Sequence, residues 1–270
     1  MKKCFLAFLL LGILVFLLFF PEAALFASRR VLDLWFGTLV PTLLPFLILS
    51  GFLIHSGLVQ IPAALLAPVF GRLFGISPLG SYACFTGFLC GCPMGAKVLA
   101  DLTRNGRIAP EEASYLLGFC NQVSPSFIIT FLVMENLKKP ELLPFALFLV
   151  YGIPVFYGFL TRPGLFRPKI PFFSGKKNAS AVQISFELLD ACIYDAVNTL
   201  LKLGGYLVLF SILAEILVLL PFLPEQTAAL AGGLLEITTC IPGIVSLFPL
   251  KTACRILFPL TAFGGLSAMA

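Results

Sequence analysis

Charged residues are scarce in this sequence: Asp, Glu, Lys and Arg make up 11% of 270 residues, against 59% hydrophobic. So few polar groups could not cover a soluble globule of that size, and the mean hydropathy of +1.03 agrees. An all-α integral membrane protein is expected. Histidine is nearly absent, and the single copy, His55, falls at the end of an expected helix, where it suits an interfacial position better than a proton relay. No P-loop, nucleophile elbow or pair of catalytic carboxylates occurs, so no enzyme is expected and no catalytic residue is assigned. Metal-ligand spacing is missing too, because Cys90-x-Cys92 has no partner Cys/His pair elsewhere. The eight cysteines are scattered, with Cys4, Cys84, Cys192 and Cys254 in apolar helical contexts, and they read as small hydrophobes rather than a disulfide framework.

What the sequence has in quantity is long apolar runs. Residues 4–20, 34–54, 113–134 and 142–161 are charge-free and approach the roughly 20 residues that span a hydrocarbon core. Several crossings packed as one multipass bundle follow. The first run, behind Lys2 and Lys3, is longer than a usual signal-peptide core and lacks a good cleavage site before Arg30, so an uncleaved helix is expected. The net charge of +5 is too diffuse for a nucleic-acid surface. Its densest block, Arg162, Arg167, Lys169, Lys176 and Lys177, instead reads as a cytoplasmic loop, which puts the N-terminus inside as well. Arg29 and Arg30 run against that pattern, flanked by Glu22 and Asp33.

A short loop should join the first helix to a second at 34–55, kinked by Pro41 and Pro45, and residues 58–74 look like a less regular interfacial segment. Two later stretches are apolar but interrupted by glycine, proline and small polar residues, one at 78–100 and one at 227–246. Backbone groups released by such breaks cannot face lipid, so the segments must be enclosed by protein or line a wet cavity. Residues 119–126, Phe-Cys-Asn-Gln-Val-Ser-Pro-Ser, form another polar interruption, with a possible counterpart in Thr261–Ser267. Residues 187–195 are too charged to span and should lie at the interface, followed by a crossing over 196–220. Loop charges and helix count then orient the two broken segments oppositely, as re-entrant or broken helices of an inverted repeat with a solute near the midplane.

The chemistry-bearing residues cluster at these breaks. Gly91-Cys-Pro-Met-Gly95-Ala-Lys97 is a turn followed by a fresh helix start, where N–H groups freed around Gly95 could bind a carboxylate beside the Lys97 ammonium. The alternative is that Lys97 snorkels and pairs with Asp101. Glu236, followed by Thr238 and Thr239, is an ionisable group in apolar surroundings; it could bind solute or a coupling cation or proton, or else sit at a solvated hairpin tip. Asn121, Gln122, Ser124 and Ser126 offer amide and hydroxyl groups that orient a polar ligand or bond neighbouring helices.

Residues 91–102, Gly106-Arg-Ile108, Glu111-Glu-Ala113, Phe119-Cys-Asn121 and Pro125-Ser-Phe127 resemble the YlbJ-type sporulation integral membrane proteins, within the nucleoside-recognition or gate-domain superfamily. Leu235-Glu-Ile-Thr238 and Gly264-Gly-Leu-Ser267 echo the family more weakly. Cys92, Met94 and Ser124 depart from it, where it usually has tyrosine, serine or threonine, and glycine. The chain is also shorter than typical members.

The resemblance implies a bacterial multipass protein with two inverted gate-type repeats, related in architecture to concentrative nucleoside transporters. It implies a role in sporulation, moving dipicolinic acid across the outer forespore membrane. The corresponding divisions are an N-terminal transmembrane helix over 1–30, a first repeat over 31–161, a basic loop over 162–186 and a second, shorter repeat over 187–270. Solute contacts are expected from Lys97, Gly95, Asn121, Ser124, Glu236, Thr238 and Thr239. Beyond the lipid bilayer and a small-molecule substrate no partner is implied, although oligomers are compatible with the fold, and no cofactor is expected apart from a coupling ion, H+ or Na+. Non-transporting assembly or ligand sensing, and nucleoside transport, are the alternatives.

Overall fold

The computed structural model describes residues 2–162 and 185–269, and all regular structure among them is helical. Of the expected basic loop, Arg162 is described, while Arg167, Lys169, Lys176 and Lys177 lie outside the described residues. Helix α1 (Lys2–Phe19) is followed by α2 (Pro21–Leu34), a π turn (Trp35–Leu39) and α3 (Val40–Ser56). The last three form one continuous 36-residue helix, Pro21–Ser56, in place of the expected loop and separate crossing. Pro21 opens it at a position where a missing N–H costs nothing. The irregularity expected from Pro41 and Pro45 takes the form of the widened turn just ahead of them.

Residues expected to be irregular form a regular helix, α4 (Gln60–Phe74), which ends on a left-handed Gly75. It meets α5 (Pro78–Cys90) at 88°. The sharp corner is fixed from two sides. Ser77 Oγ accepts from Gly80 N at 3.0 Å, and Ser77 N donates to Glu112 Oε1 at 2.6 Å, so a buried carboxylate from a later helix anchors the start of α5.

Next come α6 (Met94–Arg104), α7 (Pro110–Leu117), a second π stretch (Phe127–Leu137), α8 (Leu143–Leu147), a third π turn (Phe148–Gly152) and α9 (Ile153–Leu160). The chain continues with α10 (Phe186–Leu219), α11 (Glu225–Leu235), α12 (Ile237–Leu247), α13 (Leu250–Phe263) and α14 (Leu266–Met269). The charged stretch 187–195, expected to lie apart at the interface, is the opening of the 34-residue α10. At 1.5 Å per residue that helix is about 51 Å long, well beyond a hydrocarbon core of about 30 Å, so its charged turns need not enter lipid.

The chain forms two compact units, Met1–Pro41 with Leu201–Ala270, and Thr42–Leu200. The inner unit packs around Phe74 and Phe119, whose ring centroids are 4.7 Å apart, with Ile54, Met94, Leu99, Leu102, Leu116, Ile128 and Leu132 fully buried. The terminal unit buries Val31, Ala228, Ile241, Ile244, Leu257 and Phe258. These units differ from the divisions at 31–161 and 187–270, because packing groups contacts whereas a repeat is a correspondence in sequence.

Large apolar side chains also cover the outside. Leu18, Leu65, Phe148 and Leu160 are 75%, 80%, 69% and 70% exposed. Water would not tolerate such a surface, and lipid would. Among the described residues three helices are long and apolar enough to cross a membrane, Pro21–Ser56, Pro140–Leu160 and Phe186–Leu219, or four if the bent pair α4–α5 counts as one. Composition and surface agree on a membrane protein.

Candidate functional site

In the inner unit two helix breaks meet backbone to backbone. Helix α5 ends on Gly91 at φ 80°, ψ −167°, a conformation open to glycine, and a cis Cys92–Pro93 bond leads into α6. Facing this turn is the non-helical stretch 118–124 after α7. Cys92 N donates to Gln122 O at 2.7 Å, and Asn121 uses both ends of its amide, accepting from Ala96 N at 3.3 Å and donating to Cys92 Sγ at 3.6 Å. A Cβ on either Gly87 or Gly95 would collide with the Cys120 carbonyl. Ser124 Oγ accepts from Phe127 N at 3.2 Å and so starts the helix that follows. Each break supplies partners for the groups released by the other, and an amide rather than a carboxylate stands at the first turn of α6.

Tyr151 braces this crossing from outside, donating to Val123 O at 2.6 Å. Tyr151→Phe would leave that carbonyl unsatisfied, and a loss of about 1–3 kcal/mol is expected. It should appear as a lowered thermal midpoint of the detergent-purified protein; an unchanged midpoint would show that the brace does not matter.

Gly95, Asn121 and Ser124, expected as site residues, thus share one crossing, while Lys97 turns to a neighbouring cleft. Its Nζ lies 2.7 and 2.9 Å from the two oxygens of Asp101 and 2.6 Å from Asp195 Oδ2 on α10. Both sequence alternatives for Lys97 therefore meet a constraint: it pairs with Asp101 as the snorkelling reading had it, and a second carboxylate saturates it. The cleft beside the pair measures about 240 Å³ and is lined in part by His55, Arg104, Asn105 and Cys192.

In the terminal unit the break falls on Glu236, whose extended backbone (φ −146°, ψ 110°) separates α11 from α12. Its carboxylate is 0% exposed, which rules out the solvated hairpin tip. Oε1 accepts from Thr238 N at 3.1 Å and Thr238 Oγ1 at 2.7 Å, and Oε2 from Thr239 N at 2.7 Å. The anion therefore caps the positive end of α12. Arg30 Nη2 donates to the Thr239 carbonyl, and Arg30 also acts electrostatically on half-buried Glu215. A second break closes on this one. Gly264 and Gly265 adopt φ 80° and 82°, and a Cβ on Gly265 would sit 3.3 Å from Ile237 N. Glu236, Thr238 and Thr239 thus form one local hydrogen-bonded cap, with Arg30 on the Thr239 carbonyl.

Paired breaks inside an all-helical membrane unit are the setting in which the comparisons with known proteins fall. Residues 36–161 match the family model for Gate, described as nucleoside recognition. The chain is also 32% identical over 213 residues to the sporulation integral membrane protein YlbJ of Bacillus subtilis (strain 168), over 73% of this chain and 52% of that protein. The chain spans about half the length of this relative. No solved structure matches.

The stretch similar to the Gate family holds the α5/α6 break, the 118–124 break, Lys97 and Tyr151, whereas Glu236, Thr238 and Thr239 lie beyond it. Sequence reasoning missed three residues around these sites. Glu215 carried a usable signal, being a charge in an apolar stretch of α10, whereas Arg30 stands among Glu22, Arg29 and Asp33 and does not stand out. Asp195 carried little, since a charge at a helix start ordinarily faces water.

Proposed function

We propose that the protein transports a small anionic or heterocyclic solute across a bacterial membrane, with dipicolinic acid across the outer forespore membrane as the leading candidate. The N-terminus is cytoplasmic in this reading, and the two sets of paired breaks are the tips of two inverted repeats that shelter the solute. The observation that carries it is the recurrence of one motif: in each unit two helix breaks close on each other and glycine permits the approach, on the first break in the inner unit, at Gly91 against 118–124, and on the second in the terminal unit, at Gly264–Gly265 against Glu236. Unwound backbone at membrane depth is tolerated where it is enclosed or lines a cavity, and transporters build solute sites from it. Sporulation enters through the resemblance to YlbJ.

Within this reading Gly95, Asn121 and Ser124 present backbone and amide groups to the solute, Lys97 its charge, and Glu236 with Thr238 and Thr239 the solute or a coupling H+ or Na+. Nucleosides are the second substrate class, favoured by the description of the Gate family as nucleoside recognition. A ligand-sensing role without flux is the third reading. Counterflow in liposomes separates them. Labelled dipicolinate should exchange against unlabelled dipicolinate and not against uridine; nucleoside exchange would replace the substrate, and binding without exchange would replace transport by sensing.

A further inference from the structure

We propose that Asp195 is a built-in stand-in for the carboxylate of an anionic solute: it occupies Lys97 and keeps the adjoining cleft latched until a solute carboxylate displaces it. This rests on the reading of the solute as a carboxylate. Lys97 has two partners of different kinds. Asp101 sits one turn further along the same helix, is 8% exposed and grips the ammonium with both oxygens at 2.7 and 2.9 Å. It is the permanent partner, as an i,i+4 pair that helix geometry presents without further ordering. Asp195 reaches across from α10 with one oxygen at 2.6 Å, and its side chain is 54% exposed against 16% for Lys97. It is the removable partner, since water can solvate it the moment it lets go.

Charge accounting favours the exchange. One ammonium and two carboxylates leave the triplet with a net charge of −1, so a further anion cannot simply be added to it. An anion can replace Asp195, because the number of negative charges on Lys97 then stays the same and the hydrogen bond lost is remade. The cleft gives the newcomer a place. Its volume of about 240 Å³ is the share of roughly eight water molecules, enough for a compact ring bearing carboxylates. Arg104 and His55 line it, and His55 Nδ1 is already engaged with Gly51 O at 2.8 Å, so the other ring nitrogen and the guanidinium remain for a second acidic group. Displacing Asp195 also frees the first turns of α10, which otherwise lie against α3 with the Cys192 side chain beside Gly51. Carboxylate binding and cleft opening are thus one event.

Cys192 reports on the latch because it lines the cleft and is 5% exposed. In the purified full chain, Asp195→Asn should speed maleimide labelling of Cys192, followed by peptide mass spectrometry. It should also tighten binding of pyridine-2,6-dicarboxylate by roughly tenfold, the size of an ordinary coupling. The same dicarboxylate should speed Cys192 labelling in the wild type and add nothing in Asp195→Asn, while Lys97→Gln should not bind it. If the wild type binds and Asp195→Asn neither tightens binding nor exposes Cys192, the latch is wrong and the carboxylate reading survives. If neither protein binds although both melt cooperatively, the latch and the carboxylate reading fall together.

Discussion

Gly95→Ala should destabilise the inner unit by about 3 kcal/mol or more, the upper range for overpacking, because the new methyl group meets backbone rather than a side chain that can rotate away. Its Cβ would collide with the Cys120 carbonyl and come within 3.1 Å of Gly87 Cα. Gly87→Ala meets the same carbonyl from the other helix, so the double variant should cost less than the two singles summed. Gly205→Ala is the control, since nothing lies within 4 Å of a Cβ there and the helix should gain slightly. Thermal unfolding in detergent reads all four proteins. A Gly95→Ala midpoint equal to that of Gly205→Ala would mean that the two breaks are not in backbone contact.

The second large effect is expected at Glu236. Truncation to alanine strips Thr238 N, Thr239 N and the Thr238 hydroxyl of their acceptor at once. Removing a cap costs up to about 2 kcal/mol, and leaving buried donors without an acceptor about 1–3 kcal/mol each. A loss in that range is expected for Glu236→Ala. Glu236→Gln keeps one oxygen for the helix end and should retain most of the stability, yet it removes the charge and is expected to abolish solute flux in liposomes. Full flux with glutamine would confine Glu236 to holding α12 in place. Comparing Glu236→Gln with and without a proton or sodium gradient then tests whether the charge serves coupling.

Much of this architecture was legible because lipid imposes simple demands. The lack of charge predicts membrane helices, and glycine, proline and small polar residues inside apolar runs predict where those helices stop, as Gly91–Pro93, Phe119–Ser124 and Glu236 all show. What stayed hidden depended on partners distant in sequence. Nothing in Glu111-Glu112 distinguishes an exposed acid from the one that turns inward to Ser77. Lys97 beside Asp101 gives no hint that a third residue, Asp195, closes on it. Arg30 resembled an orientation signal, whereas its guanidinium is spent on a carbonyl of α12. Continuity was misjudged for a different reason: the charged stretch between the first helix and residue 34 suggested a loop and the charges of 187–195 a separate segment, yet Pro21 is at home at a helix start and a long helix can carry its charges outside the lipid.

The three widened π turns at Trp35–Leu39, Phe127–Leu137 and Phe148–Gly152 each accommodate more residues per coil than the α-helical turns around them. In an even α spiral, excising one residue swings everything downstream by about 100° and would point lipid-facing groups inward. At a bulged coil the same excision can be absorbed by tightening to the ordinary pitch, with the flanking faces kept in phase. The turn bearing Tyr151 is therefore a place where the gene can lose a codon and keep its rods aligned, sacrificing only the prop that this phenol provides.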